Sequence, residues 1–337
     1  TDSNLTDLQK KIKALTEGKE YTEEVANKVG DLMRQELEKN KDFKALIKKL
    51  DDKKNFKEEW KKIDESSYIE KDPEYLAKRN KLNDCKKELR AKGVGFYWHD
   101  EKYKQLFDEA NKEYLNARER LMNDIAKKLN ITDFDAIKNI ETKDVNESIK
   151  SIFREQFKDV IDFNDGNNIK CSKAQKSNVE NGLAMYSKEF IDVLESNGIE
   201  VETLRKGCRS FFDPLAKNVN ITLYDTYGTV AHEFAHALER TIPNIRNMEK
   251  DFYERRTKGE QSVYLRDVTG IRQYGNEVTK LDKFLSPYIG KDYSRHGSEH
   301  GYELLSMGMT YLYNKPNELA KDKDYMNFVL GCLVYRG

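Results

Sequence analysis

Cysteine is scarce in this 337-residue chain. Cys85, Cys171, Cys208 and Cys332 stand far apart with no C-x-x-C spacing. That argues against a disulfide framework or a cysteine-built zinc site and fits a reduced, intracellular setting. Net charge is missing too: 60 Lys and Arg residues balance 60 Asp and Glu. No global field therefore draws the chain to nucleic acid or to an anionic membrane, though a local basic face is compatible with that balance. No apolar run approaches the length that spans a bilayer. The opening Thr1-Asp2-Ser3 lacks the basic-then-apolar pattern of a secretion signal. It also lacks an initiator Met, as expected of a piece of a longer protein. Internal repeats and low-complexity tracts are absent as well.

What is present divides the chain. Its length exceeds one typical core, so two domains are expected. Charged residues make up 36% and hydrophobic ones 37%, which is polar for a globular protein, but nineteen Tyr and fifteen Phe supply the area for a core. From Thr22 to Leu50, apolar residues including Val25, Val29, Leu32, Met33 and Leu37 recur at threes and fours, predicting one amphipathic helix. Asp72-Pro73 opens a second helix running toward Gly93, and Asp100 a third ending near Asn130. Gly93 to His99, with Trp98 in it, reads as a packing turn at the tip of a long helical hairpin, a stalk or coiled-coil arm. A binding role for Trp98 and His99 is the alternative. The turn-rich cluster Asn164 to Asn168 marks the expected boundary, giving a helical domain over 1–163 and a second domain over 164–337. Beyond it the strand-like run Asn220 to Tyr224 precedes well-defined helices. The fold class is α+β, mostly α, with a small sheet in the C-terminal domain.

Histidine is rare, with five in the chain, yet two lie four apart in Ala231-His232-Glu233-Phe234-Ala235-His236. Chance produces such a His-Glu-x-x-His on the order of once in a hundred such chains. On a helix the two imidazoles project from one face, one turn apart, the separation needed to share a tetrahedral zinc. Glu233, beside the first, is placed to take a proton from water activated by the metal. Asp225 and Thr226 cap this helix, Pro243 ends it, and Val230, Phe234 and Leu238 give it a face to bury. An open catalytic site needs a third protein ligand. The extended metzincin pattern is excluded, since it requires glycine and histidine where this chain has Glu239 and Ile242. Downstream candidates are Glu277, Asp292, His296, Glu299, His300 and Glu303. Glu303 is preferred, with Glu299 in reserve, because Gly301 to Met309 reads as a helix whose small Ser306 and Gly308 would let it approach the first.

These features resemble the metallopeptidase-like domain attached to phage minor head and head-morphogenesis proteins. The matching pieces are Phe211-Phe212-Asp213-Pro214, the run from Thr229 to Glu239, Pro287 to Tyr293, Glu303 to Met309, and Asn327 to Gly331. The likeness covers roughly residues 165–337, and within it only the His-Glu-x-x-His motif is chemically diagnostic. It implies a zincin fold of the gluzincin type with Glu303 as third ligand. The pattern often carries a second Glu where this chain has Thr310, which implies that this position is dispensable. A zincin also implies an edge strand beside the metal helix, a role that fits Asn220 to Tyr224, and an oxyanion donor. Tyr293, Arg295, His296, His300 and Tyr302 cluster suitably for that donor, and Tyr293 is the first choice.

The expected function is thus a zinc-dependent peptidase, with His232, His236 and Glu303 as ligands, Glu233 as general base and Tyr293 as oxyanion donor. Its partners would be a peptide or protein substrate, with no nucleic acid evident, and a phage or host protein docked by the N-terminal helices. Cytoplasmic or virion-associated localisation fits. The alternatives are a phage-derived structural protein that keeps zinc without turnover, and an effector protease targeted by its helical arm.

Overall fold

The computed structural model describes residues 4–163, 165–293 and 301–337. In chain order the helices begin with α1 (Asp7–Thr16), α2 (Glu23–Lys39), α3 (Lys41–Trp60), α4 (Glu65–Ile69), α5 (Pro73–Ala91), α6 (Glu101–Lys128), α7 (Phe134–Asn139) and α8 (Thr142–Phe157). Then follow α9 (Lys176–Leu183), α10 (Lys188–Ser196), β1 (Glu200–Leu204), β2 (Phe211–Asp213), β3 (Asn218–Thr222), α11 (Tyr227–Thr241) and α12 (Pro243–Arg256). The remainder is β4 (Val263–Tyr264), α13 (Leu265–Thr269), β5 (Val278–Thr279), β6 (Lys291–Asp292), α14 (Leu304–Asn314), α15 (Pro316–Leu319) and α16 (Lys323–Leu333). A mostly helical N-terminal region is followed by a segment with two small sheets, as the α+β expectation holds.

The compact units are drawn differently from the expected boundary at residues 163 and 164. One unit combines residues 1–47 with 142–337, and the other is 48–141. The reason is close packing of α2 on α16. A methyl group at Gly30 would fall 1.7 Å from the carbonyl oxygen of Asn327, and one at Gly331 would fall 1.8 Å from that of Ala26. Only glycine lets the two backbones meet so closely. Buried Arg34 seals the contact, donating to Asn327 Oδ1 at 2.8 Å and to Glu38 at 2.6 Å. The single helix expected from Thr22 to Leu50 is broken at Asn40, whose backbone is extended and whose Oδ1 accepts the N–H of Phe43 at 3.0 Å. The periodicity survives this break, so the sequence pattern alone does not reveal it.

The unit 48–141 contains the expected hairpin. Asp72 caps α5, with Pro73 in its first turn, and Asp100 caps α6. Near the turn, Cys85, Leu89 and Tyr103 form a small core, and a second core gathers Met122, Ala126, Ile131, Phe134 and Ile137. Trp98 packs edge-on against Phe107 and Tyr103, with ring centres 4.7 and 5.5 Å apart, while Phe96 stays exposed.

In the other unit, α11 is central. Thr226 caps it by accepting the N–H of Thr229 at 3.2 Å, and Pro243 opens α12 directly after it. Val230, Phe234 and Leu238 are fully buried, each contributing roughly 1.5–3 kcal/mol of burial free energy. Beside α11 lies the sheet β1-β3-β2, in which β3 pairs parallel with β1 and antiparallel with β2. The predicted strand before the metal helix therefore exists, as Asn218–Thr222, but it is the central strand. The edge is β2. A methyl group at Gly308 would fall 2.3 Å from Val329 of α16, so this small residue serves the α14–α16 contact and not the approach to α11. Gly228 serves the latter, since a methyl there would meet Asn314 of α14 at 2.5 Å. The second sheet, β4-β5-β6, is antiparallel and carries Lys291 toward the region described next.

Candidate metal centre

His232 and His236 emerge from α11 one turn apart, and Glu303 stands at the N-terminal boundary of α14, almost wholly buried. The three residues form a cluster able to hold a metal ion. Nε2 of His232 and Nε2 of His236 are 3.2 Å apart, and each lies 3.4 Å from Glu303 Oε2. A tetrahedral zinc with bonds of about 2.0–2.1 Å sets its ligand atoms about 3.3–3.4 Å apart. The triangle of donor atoms matches one face of that tetrahedron.

The far sides of the imidazoles explain why these particular nitrogens face inward. His236 Nδ1 lies 3.5 Å from Glu239 Oε2, an acceptor, so the ring proton belongs on Nδ1. His232 Nδ1 lies 3.1 Å from Thr310 Oγ1, whose own hydrogen is directed to the carbonyl of Ser306 at 3.2 Å. Thr310 therefore accepts from His232, and its ring proton sits on Nδ1 as well. Both Nε2 lone pairs then converge on one point beside a carboxylate oxygen, an arrangement that calls for a cation. Thr310, implied to be dispensable by the phage-type pattern, thus holds one of the two imidazoles.

The electrostatics of the cluster favour positive charge beside Glu303. Burial opposes ionisation of Glu303, but the facing imidazoles outweigh it and hold the carboxyl well below its usual range. Burial likewise opposes a charge on His236, yet Glu303 and Glu239 raise its proton affinity well above that of ordinary imidazole. Glu303 is held from three sides, by Tyr293 at 2.6 Å and Tyr288 at 3.0 Å on Oε1 and by Ser306 at 3.2 Å on Oε2. Behind His236, Glu239 Oε1 accepts the backbone N–H of Tyr302 at 2.7 Å, and buried Glu249 accepts that of Leu305 at 2.7 Å. Burial, with the Glu239 charge added, raises the proton affinity of Glu249 well above the ordinary carboxylate range, and its bond to the Leu305 N–H braces α12 against α14.

A cleft of about 390 Å³ opens on the cluster, lined among others by Phe211, Phe212, Glu233, Tyr288 and Tyr293. Glu233 is buried, and no hydrogen bond or ion pair to its carboxylate is found among the described residues. Burial raises its proton affinity, while the positive character of His232 and His236 opposes that rise.

No family model, curated protein or solved structure matches this chain. The likeness to phage head-morphogenesis domains therefore rests on the residues quoted above, and the chemistry of the site on its geometry.

Of the other ligand candidates, Glu277 pairs with Lys291 at 2.9 Å and Asp292 accepts from Ser262 at 2.6 Å. His296, Glu299 and His300, with Arg295, lie outside the described residues. Tyr293 reaches the cluster through Glu303, while Tyr302 packs on Tyr253 with ring centres 5.5 Å apart. Burial first, then nearby carboxylates, push the Tyr302 hydroxyl up to about 12. Sequence reasoning missed Tyr288, Arg209, Glu239 and Glu249. Only Glu239 had a local signal, its position three residues after His236 on the same helix.

Proposed function

We propose that this protein is a zinc-dependent peptidase of the gluzincin type, with the metal held by His232, His236 and Glu303. The observation that carries this reading is the convergence of two imidazole lone pairs and one carboxylate oxygen at tetrahedral spacing. Zinc at that point supplies Lewis acidity, acidifying water and polarising a carbonyl. Glu233 is the general base: it lines the same cleft, and among the described residues its carboxylate has no hydrogen-bond or ion-pair partner. It takes the proton of the attacking water and hands it to the departing amine, a role its raised proton affinity suits.

Thr310 and Glu239 fix the two ring tautomers, and Tyr288 fixes the carboxylate rotamer. Tyr293 is the proposed oxyanion donor, exchanging its bond to Glu303 Oε1 for one to the carbonyl oxygen of the substrate. The outer edge of β2, whose Phe211 and Phe212 line the cleft, is the proposed seat of the peptide, which would add there by main-chain hydrogen bonds. A buried Glu233 that lines the cleft and has no partner among the described residues favours turnover over a purely structural metal. Cleavage of a mixed peptide library by the zinc-loaded chain, read by mass spectrometry, tests the reading. Cleavage by the native chain and none by Glu233→Gln at equal zinc content is expected; no cleavage by either removes the peptidase assignment.

A further inference from the structure

Among the described residues, two arginines lining the cleft, Arg209 and Arg240, have no carboxylate partner. Arg240 lines it from the last turn of α11, on the face that carries His232 and His236, at the same four-residue spacing. Its guanidinium is exposed, and among the described residues it has no hydrogen bond or ion pair. Arg209 lines the cleft just before β2, and its one hydrogen bond among those residues is to the Tyr288 hydroxyl, at 2.6 Å. The negative groups that face them are already engaged. Glu239 is shared between His236 and the Tyr302 N–H, Glu303 belongs to the donor triangle, and Lys291 is neutralised by Glu277 at 2.9 Å. With a dication in the triangle, the charges of Glu233 and Glu303 are balanced; Glu239 then supplies one negative charge against the three guanidinium groups of Arg209, Arg240 and Arg246, and the lining stays cationic.

We infer that the cleft selects peptides carrying a carboxylate close to the scissile bond, bound by Arg240 and Arg209. This rests on the peptidase reading above for the position of the scissile bond, but the recognition itself is a binding event. Guanidinium forks favour carboxylates through paired, charge-assisted hydrogen bonds. The carboxylate can come from an acidic side chain or from the peptide's own C-terminus, and the arms of the test separate the two.

The test uses the full chain with Glu233→Gln, zinc-loaded, so that binding is measured without turnover. The probes are fluorescein-labelled peptide pools, randomised over neutral residues except for one central position held as Glu, Gln or Lys. All are amidated, and one further Gln pool has a free C-terminal carboxylate. Fluorescence anisotropy should show the Glu pool, or the free-carboxylate Gln pool, binding roughly tenfold tighter than the amidated Gln pool. The tighter of the two names the source. Adding Arg240→Glu should erase that advantage and favour the Lys pool, and adding Arg209→Gln should reduce it several-fold. Both positions are exposed, and unchanged thermal melting certifies the fold of each variant. Equal affinities across the pools, or an advantage that survives both substitutions, overturn the inference. If the unsubstituted chain still cleaves neutral peptides in that event, the peptidase reading stands without this selectivity. If bound zinc and cleavage are both lacking, that reading fails separately.

Discussion

Carboxylates do opposite work in the two compact units. In residues 48–141 many are solvent-facing members of ion pairs, such as Lys78 with Glu109 at 2.8 Å and Lys87 with Asp84 at 3.3 Å. Around α11 the same chemical group is buried, as in Glu233, Glu239, Glu249 and Glu303. An exposed pair contributes about 0–1 kcal/mol, because water screens it and two long side chains must be ordered. A buried carboxylate costs several kcal/mol to desolvate unless donors or cations compensate it. One region therefore tolerates its charges, while the other is organised around them. The charge-rich composition thus has two unrelated structural sources, exposed ion pairs on a helical hairpin and a buried cluster suited to hold a metal ion.

Substitutions should expose that contrast. The largest effect is expected from His236→Ala and Glu303→Ala, each of which should empty the site of zinc, as measured by metal analysis of purified chain. Zinc content equal to that of the native chain would make the site no different from the surface pairs. Next, Glu233→Gln should retain zinc while peptide turnover falls by about 10²–10⁴-fold, the range for loss of a general base. Thr310→Val should weaken zinc binding by about 10–100-fold in competition with a chelator, as expected for a group that orients a ligand. Arg120→Ala, in the hairpin, should cost no more than about 1 kcal/mol in urea unfolding and leave zinc untouched. A larger loss would mean that its contacts with Asp72, Glu74 and Glu113 act as one network.

The smallest effect concerns acid. Burial works to raise Asp72, but the N–H of Tyr75 and the Arg120 guanidinium outweigh it and leave the carboxyl below its ordinary value. Its stabilisation is then present above about pH 4 and fades as pH falls through the lowered value. Asp72→Asn should be less stable than the native chain at pH 7, with the gap closing toward pH 2 in denaturant melts.

Much of the site was legible because its chemistry is local. Four-residue spacing on one helix places His232 beside His236, and Thr226 and Pro243 bound that helix at the predicted positions. Glu303 was also within reach, since an open site demands a third ligand and few acidic residues stand before a suitable helix. Thr310, Tyr288 and Arg209 were not, because only tertiary folding brings α14 and the loops flanking β2 and β6 to the imidazoles. The same limit explains the strand order. A run such as Asn220 to Tyr224 announces a strand, but nothing in it says that the strand will lie between β1 and β2. The compact units were hidden for a similar reason: Gly30 and Gly331, which bring α2 onto α16, are far apart in the chain.

The most direct test of the central claim is X-ray absorption at the zinc edge on the metal-loaded chain. Two imidazole nitrogens with oxygen ligands at about 2.0–2.1 Å and no sulfur are expected. A sulfur ligand, or a zinc shell without two imidazoles, would contradict the assignment of His232, His236 and Glu303 as ligands.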